Sequence, residues 1–147
     1  MRPLGPARRV LCAALALVAA AILFRGPLAT AVVTRGDEAL RAGDGATALR
    51  SYRKALALDP GSTLAADRLA FELALVHRRS AAAEAITVAT AALQRHPSDP
   101  ALLTDRAFAE LQLHDARAAR ADFARAGVLA RDSRYTALAG HVERWAP

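Results

Sequence analysis

The residues of this chain that could supply chemistry are four histidines, His77, His96, His114 and His141. A metal site or an acid–base centre built on histidine needs a partner at a short, fixed spacing, such as two histidines on neighbouring turns of one helix. None of the four shares a helix turn with another, no His-Glu-x-x-His pair occurs, and the single cysteine, Cys12, lies in an apolar segment. We therefore predict structural or solvent-exposed histidines, with no metal site and no cofactor.

Serines and aspartates are the other candidates for catalysis, and their positions indicate helix capping instead. The sequence has no Gly-x-Ser-x-Gly elbow and no glycine-rich phosphate loop. Short polar side chains precede helical stretches, where their oxygens accept hydrogen bonds from free backbone N–H groups. We predict no catalytic residue, no small-molecule substrate and no enzymatic activity. The capping residues are Ser62, Ser80, Ser98, Ser133, Asp44, Asp99, Asp115 and Asp132.

The net charge of +6 is concentrated at the N-terminus. Four arginines flank the apolar segment, and from residue 26 onward 16 basic residues face 14 acidic ones, mixed along every predicted helix. Nucleic-acid binding needs a clustered basic face. The charge pattern therefore predicts no nucleic-acid partner. The four flanking residues are Arg2, Arg8, Arg9 and Arg25.

Residues 10–24 carry no charge and precede a Gly26-Pro27 break. As a helix they would span about 22 Å, against roughly 30 Å for the hydrocarbon layer of a membrane. Three interpretations stay open: a retained anchor flanked by Arg9 and Arg25, a secretory signal cleaved after Ala31, and a buried helix of a soluble protein. We favour the anchor, with residues 1–28 as the anchor or signal and the rest of the chain outside the cytoplasm.

One helical phrase recurs along the chain. Residues 36–60 and 107–131 share a frame of a small residue, a turn, and then alanine, aromatic and alanine at spacings of four and three; a looser copy lies between them. A short helical hairpin cannot bury its apolar face alone, so repeated hairpins stack into a continuous core. The predicted fold is all-α, an α-solenoid of antiparallel hairpins. The recurring residues are Ala48, Tyr52 and Ala55, then Ala85, Ala89 and Ala92, then Ala119, Phe123 and Ala126.

Capping residues, prolines and helical periodicity together predict seven helices after the apolar segment. The last one is amphipathic, with Tyr135, Leu138, Val142 and Trp145 on one face, as a capping helix requires. The predicted helices cover about 29–42, 45–58, 63–77, 81–95, 101–113, 116–130 and 134–145.

This pattern resembles the tetratricopeptide repeat family, whose unit is a helix-turn-helix of about 34 residues. The family's small, turn, Ala, aromatic, Ala and Pro positions are filled in the first copy. The third copy has His114 for the turn glycine and Arg131 for the proline, and the second has Ala89 for the aromatic residue. The resemblance implies a domain at 29–147, with repeats at about 29–62, 63–99 and 100–132 and a cap at 133–147. The matching residues are Gly36, Gly43, Ala48, Tyr52, Ala55 and Pro60, then Leu69, Ala70, Ala85, Ala92 and Pro97, then Ala107, Ala119, Phe123 and Ala126.

The resemblance also implies a concave groove lined by the first helix of each repeat. Some relatives grip a peptide's terminal carboxylate with Lys and Asn there, but this chain has no Asn and a single Lys, so that clamp is absent. Phe71 and Phe108 fit either a core or a ligand contact. The mixture of Phe, Arg and Asp suits a protein segment with apolar and charged residues. The implied lining is Val33, Asp37, Arg41, Asp67, Arg68, Phe71, Thr104, Asp105, Phe108 and Gln112.

The sequence therefore predicts a membrane-tethered adaptor that binds another protein or peptide segment, contacts the membrane through residues 10–24, and helps to assemble an envelope complex. The alternative is a cleaved, periplasmic or secreted repeat protein that self-associates through the ends of the repeat array.

Overall fold

Seven helices follow one another along the described part of the chain. The computed structural model describes residues 6–142, with side chains described from Cys12 onward except at positions 13, 17, 18 and 21, and no strand occurs in that range. The all-helical prediction is confirmed, and the bounds predicted for the second and sixth helices agree with those observed. In order, the helices are α1 (Pro6–Arg41), α2 (Gly45–Leu58), α3 (Thr63–Leu75), α4 (Arg79–Leu93), α5 (Pro100–Gln112), α6 (Ala116–Ala130) and α7 (Ser133–Val142).

Most helices begin at the predicted caps. Asp44 accepts a hydrogen bond from the backbone N–H of Thr47 at 2.9 Å, and Asp99, Asp115 and Ser62 cap α5, α6 and α3 in the same way. Each cap satisfies backbone donors that the first turn of a helix leaves free. These side chains therefore have a structural role.

The loop between α3 and α4 differs from the prediction. α3 ends at Leu75 rather than at residue 77, and α4 begins at Arg79, so Ser80 lies inside the helix instead of capping it. The carbonyl of Arg78 accepts the first bond of α4, from the N–H of Ala82 at 3.0 Å. Because no proline or glycine stands at positions 78–80, nothing stops the helix from extending toward its N-terminus.

α1 continues through Gly26 and Pro27, where the sequence predicted a break and a separate repeat helix from about residue 29. Proline lacks an N–H, so the carbonyl of Leu23 loses its helical donor, but the fixed φ of proline is itself helical and leaves the rest of the turn intact. Thr30 Oγ1 donates to the carbonyl of Gly26 at 3.0 Å. The apolar segment and the first repeat helix therefore form one helix of 36 residues, about 54 Å long.

Within the part of the chain that the structure describes, no helix is both long enough and apolar enough to cross a membrane. The anchor predicted over residues 10–24 stays a prediction.

The core is built from the recurring residues of the second helices. α1 packs on α2, α3 on α4 and α5 on α6, and α3 also contacts α1 and α5. Tyr52 and Phe123 are fully buried, and the seven recurring alanines are at most 7% exposed. Gly36 of α1 lies against the ring of Tyr52, because a Cβ added there would stand 2.5 Å from its Cε1. The predicted stack of hairpins with alanine contacts is confirmed.

The turn and the cap at the C-terminal end complete the array. His114 has a φ of 65°, in the same left-handed region as Gly43 with 80°, so it makes the tight turn that the resemblance assigns to glycine. α7 packs on α6 and buries Ala139 and Val142. Trp145, predicted for the same face, lies outside the described residues.

Candidate functional site

The first helices of the three hairpins, α1, α3 and α5, lie next to one another. We call the surface that they share the groove face. It carries the predicted lining residues in three rows, one from each helix. Two members are buried: Asp105 is 4% exposed, and Val33 is 1% exposed and packs in the core with Ala29 and Tyr52. Its apolar, β-branched side chain faces inward, so it lines no open surface.

An apolar cleft of about 440 Å³ opens between α3 and α5. Phe71 and Phe108 stand on its two sides and keep 42% and 38% of their surface exposed. Phe108 also meets the buried Phe123 edge to face, with ring centroids 5.1 Å apart. Phe108 is thus fixed by the core and still offers a face to the cleft. The lining comprises Phe71, Ala74, Leu75, His77, Phe108, Leu111 and Gln112.

Sequence reasoning missed part of this cleft. Leu75 lies four residues after Phe71, and Leu111 lies three residues after Phe108. Residues at these spacings share one face of a helix. This spacing could have identified Leu75 and Leu111 from the sequence as further lining residues beside the two predicted phenylalanines.

Two carboxylates stand one helical turn before the two phenylalanines. Asp67 precedes Phe71 by four residues on α3, and Asp105 precedes Phe108 by three on α5. Asp105 is only 4% exposed, and its Oδ2 is buried without a hydrogen-bond partner. Burial, followed by the charges of Asp67 and Asp99, raises the pKa of Asp105 to about 8, and Arg68 offsets this only in part. Burial also raises the pKa of Asp67.

Arg68 links α1 to α3 at the other side of the groove face. Its Nε lies 3.5 Å from Oδ1 of Asp37, and its Nη1 lies 3.6 Å from Oδ2 of Asp67. The hydroxyl of Tyr52 donates to the same Asp37 oxygen at 2.7 Å. Burial raises the pKa of Glu72, with Arg68 opposing the shift and Asp37 adding to it. The single arginine therefore stands among several acidic groups.

The remaining predicted residues are placed as follows. Arg41 is exposed at the end of α1. Thr104 Oγ1 donates to the carbonyl of Pro100 at 2.7 Å, so its hydroxyl is hydrogen-bonded within α5. Gln112 Nε2 donates to the carbonyl of Ala74 across the cleft, while Gln112 Oε1 is buried without a partner.

A second buried charge network joins α5 to α6. Arg106 holds Asp122 through two hydrogen bonds, Nε to Oδ2 at 2.6 Å and Nη2 to Oδ1 at 2.9 Å. Burial and the charge of Asp122 raise the pKa of Glu110 to about 7, and Arg106 opposes this shift. Because Arg106 and Asp122 pair across the α5–α6 hairpin, they stabilise the packing of these two helices.

Few side chains in this arrangement could take part in catalysis. Among residues 6–142, no group of three or more His, Cys, Asp or Glu side chains comes together as a metal site. His77 borders the apolar cleft, and His114 occupies the left-handed turn after α5. The groove face offers apolar contact, carboxylates and two arginines, Arg41 and Arg68, which are means of binding.

Comparison with known proteins places the fold. No protein-family model matches the chain, and no curated protein matches it. One similar solved structure is the first tetratricopeptide repeat domain of Spaghetti (RPAP3), which is bound to the HSP90 peptide SRMEEVD. It superposes with a TM-score of 0.72 at 18% sequence identity, and the match covers 81% of this chain and 93% of that one. The first such domain of human RPAP3, solved by NMR, gives 0.68 at 19% identity, covering 80% and 91%. The chain has the tetratricopeptide repeat fold, as its sequence pattern indicated.

Proposed function

We propose that this protein is an interaction adaptor that binds a segment of another protein on the groove face, and that it is not an enzyme. The observation that carries the proposal is the apolar cleft between Phe71 and Phe108, two aromatic side chains that a folded domain leaves about 40% exposed on facing helices. Exposed aromatic side chains that border a cleft are typical anchors for a protein ligand. The solved domain that holds the peptide SRMEEVD shows that a similar fold of similar size accepts a short peptide.

A displayed library of random twelve-residue peptides tests this function. Peptides selected by the full-length chain should bind the double variant Phe71→Ala/Phe108→Ala at least about tenfold more weakly, because two aromatic anchors are lost. The matched control is Val128→Ala/Leu129→Ala, which removes two exposed apolar side chains, 77% and 38% exposed, from α6, outside the three helices of the groove face. Equal losses in both variants, or none in either, would reject the groove face as the binding site.

We further propose that residues 10–24 tether the protein to a membrane, with the N-terminus inside, the repeats outside the cytoplasm, and a role in assembling an envelope complex. Support comes from α1, where consecutive apolar side chains lie open to solvent and need a cover. Resistance of the protein to extraction from membranes at high pH, and its release by detergent, check the tether. The exposed residues are Leu15 at 60%, Ile22 at 56%, Leu23 at 75% and Phe24 at 68%.

The alternative of a signal cleaved after Ala31 conflicts with the packing of α1. Ala29 is fully buried in the core of the first hairpin, so this cut would remove a core residue together with the turn that holds it. N-terminal sequencing of the protein from its native cell decides between the two: an intact Met1 supports the tether, and a chain that starts at Val32 supports a released, self-associating protein.

A further inference from the structure

The buried carboxylate of Asp105 has no structural partner that explains it. Its Oδ2 is enclosed without a hydrogen bond, although the residue is only 4% exposed. Asp122, buried to a similar degree at 7% exposed, is held instead by two hydrogen bonds from Arg106. An unpaired buried acid destabilises a fold. A residue of this kind indicates a partner that arrives from outside.

The acid stands beside a second one at the edge of the cleft. Asp67 of α3 keeps a quarter of its side chain exposed, and its charge acts on Asp105 of α5. Together they form an acid pair, with Asp67 at the surface and Asp105 beneath it. Each acid lies one helical turn before a cleft phenylalanine, so the acid pair and the apolar cleft are about 5 Å apart along the helices.

Carboxyl groups outnumber basic groups at this surface. Arg68, the cation of α3, lies 3.5 Å from Asp37 and 3.6 Å from Asp67, and its Nε is buried without a hydrogen-bond partner. The neighbouring Glu72 and the acid pair add further carboxylates. An acidic segment such as SRMEEVD, which the similar solved domain binds, would meet like charges here. A basic side chain would find opposite charge at the partly exposed Asp67 and would stand above the enclosed Asp105.

We infer that the partner segment carries an Arg or Lys side chain that pairs with Asp67, above the buried Asp105, next to an apolar side chain that fills the cleft between Phe71 and Phe108. This inference rests on the proposed function and adds the chemistry of the ligand. An extended segment presents residues i and i+2 on the same side, about 6 to 7 Å apart, which suits the spacing of the two subsites. A bound cation also favours the ionised form of Asp105, whose pKa burial, Asp67 and Asp99 raise against the effect of Arg68.

The test uses full-length protein and an array of eight-residue peptides with four central designs, Leu-x-Arg, Leu-x-Gln, Leu-x-Glu and Ala-x-Arg, in varied flanks. The wild-type protein should bind Leu-x-Arg at least about tenfold more tightly than Leu-x-Gln. The difference in affinity between Leu-x-Arg and Leu-x-Glu should be larger still. The preference for Arg should weaken as NaCl is raised from 50 mM to 500 mM, roughly the range over which exposed charges become screened. Binding of Ala-x-Arg should also be weaker, because the cleft stays empty.

Variants separate the two proposals. Asp67→Asn/Asp105→Asn should bind Leu-x-Arg and Leu-x-Gln equally, while it still prefers Leu over Ala. The control Glu38→Gln/Asp59→Asn changes the net charge by the same amount outside α3 and α5 and should keep the preference for Arg. Because Asn carries no charge and needs no proton when it is buried, the test variant should remain folded.

Each other outcome overturns one proposal. Leu-dependent binding with no preference for Arg, or with a preference for Glu, rejects the basic partner and leaves the groove adaptor standing. Binding that is insensitive to Phe71→Ala/Phe108→Ala rejects the adaptor site itself. A dimer in analytical ultracentrifugation that the same phenylalanine variant dissociates would make a second copy the occupant and would also reject the basic peptide.

Discussion

Replacement of Asp105 by Asn should stabilise the protein, and the gain should grow with pH. The carboxyl group has a pKa of about 8 in the folded protein, against an ordinary value of 3.8 for an aspartate side chain. The folded state therefore holds a proton that the unfolded chain releases from about pH 4 upward. The free energy of unfolding of the wild-type protein should fall as pH rises between these values, whereas Asn carries no charge at any pH.

The magnitude follows from the width of this interval. Each pH unit over which only the unfolded chain is ionised lowers the free energy of unfolding by somewhat more than 1 kcal/mol. Between pH 5 and pH 8 the difference between Asp105→Asn and wild type should therefore grow by up to about 4 kcal/mol. Any fixed effect of the amide on packing shifts the difference equally at every pH and leaves the slope unchanged.

Urea unfolding of the full-length chain in mild detergent, followed by circular dichroism at pH 5, 6, 7 and 8, measures this slope. Glu38→Gln is the matched control, because it removes an exposed carboxylate and should give a difference from wild type that stays within about 0.5 kcal/mol. A difference for Asp105→Asn that stays constant across the pH range would show that Asp105 is ionised in the folded protein. The account of an unpaired, neutral acid beneath the groove face would then be wrong.

Four further substitutions test the packing. Gly36→Ala should lower the free energy of unfolding by about 1 to 3 kcal/mol, because its new methyl group overlaps the ring of Tyr52; Gly140→Ala, in open space on α7, should instead raise it by about 0.5 kcal/mol. Tyr52→Phe should cost about 1 to 2 kcal/mol by removing the 2.7 Å bond to Asp37. Asp115→Ala should cost about 1 kcal/mol, because α6 loses its cap. Urea unfolding at pH 7 measures all of them.

Specific results would contradict these expectations. Equal effects of the two glycine substitutions would mean that helix propensity, not the contact with Tyr52, decides the stability at Gly36. An unchanged stability of Tyr52→Phe would show that water replaces Asp37 as a partner without loss. Rescue of Asp115→Ala by Asp115→Ser, another good capping residue, is the control for the cap.

The hairpins could be predicted because their signals are local. Pro60 and Pro97 follow shortly after the ends of α2 and α4, Asp44 and Asp115 cap the helices that follow them, and the spacing of Tyr52 or Phe123 among alanines marks the buried face. The continuity of α1 through Pro27 had no such signal. A proline in the interior usually ends or kinks a helix, and the tertiary packing of the residues after it decided otherwise.

The site was only partly predictable. The spacing of Phe71 and Phe108 placed them on first helices, but whether a phenylalanine at such a position is buried or open depends on the distance between α3 and α5. Val33 was predicted on the open face and is buried instead. The register of a repeat assigns a position to a helix face, but the contact with the neighbouring Tyr52 decides how exposed that position is. The isolation of Asp105 depends on which partners α3 brings near it, and no local pattern contains that information.

The uninterrupted α1 has a mechanical consequence. The core holds α1 at Ala29 and Val33, and the helix continues back through Pro27 to its first described residue at Pro6. A flexible linker would let the domain turn freely, whereas a continuous helix transmits orientation. Whatever binds the apolar end of α1 would therefore also set the angle and the distance at which the groove face meets its partner.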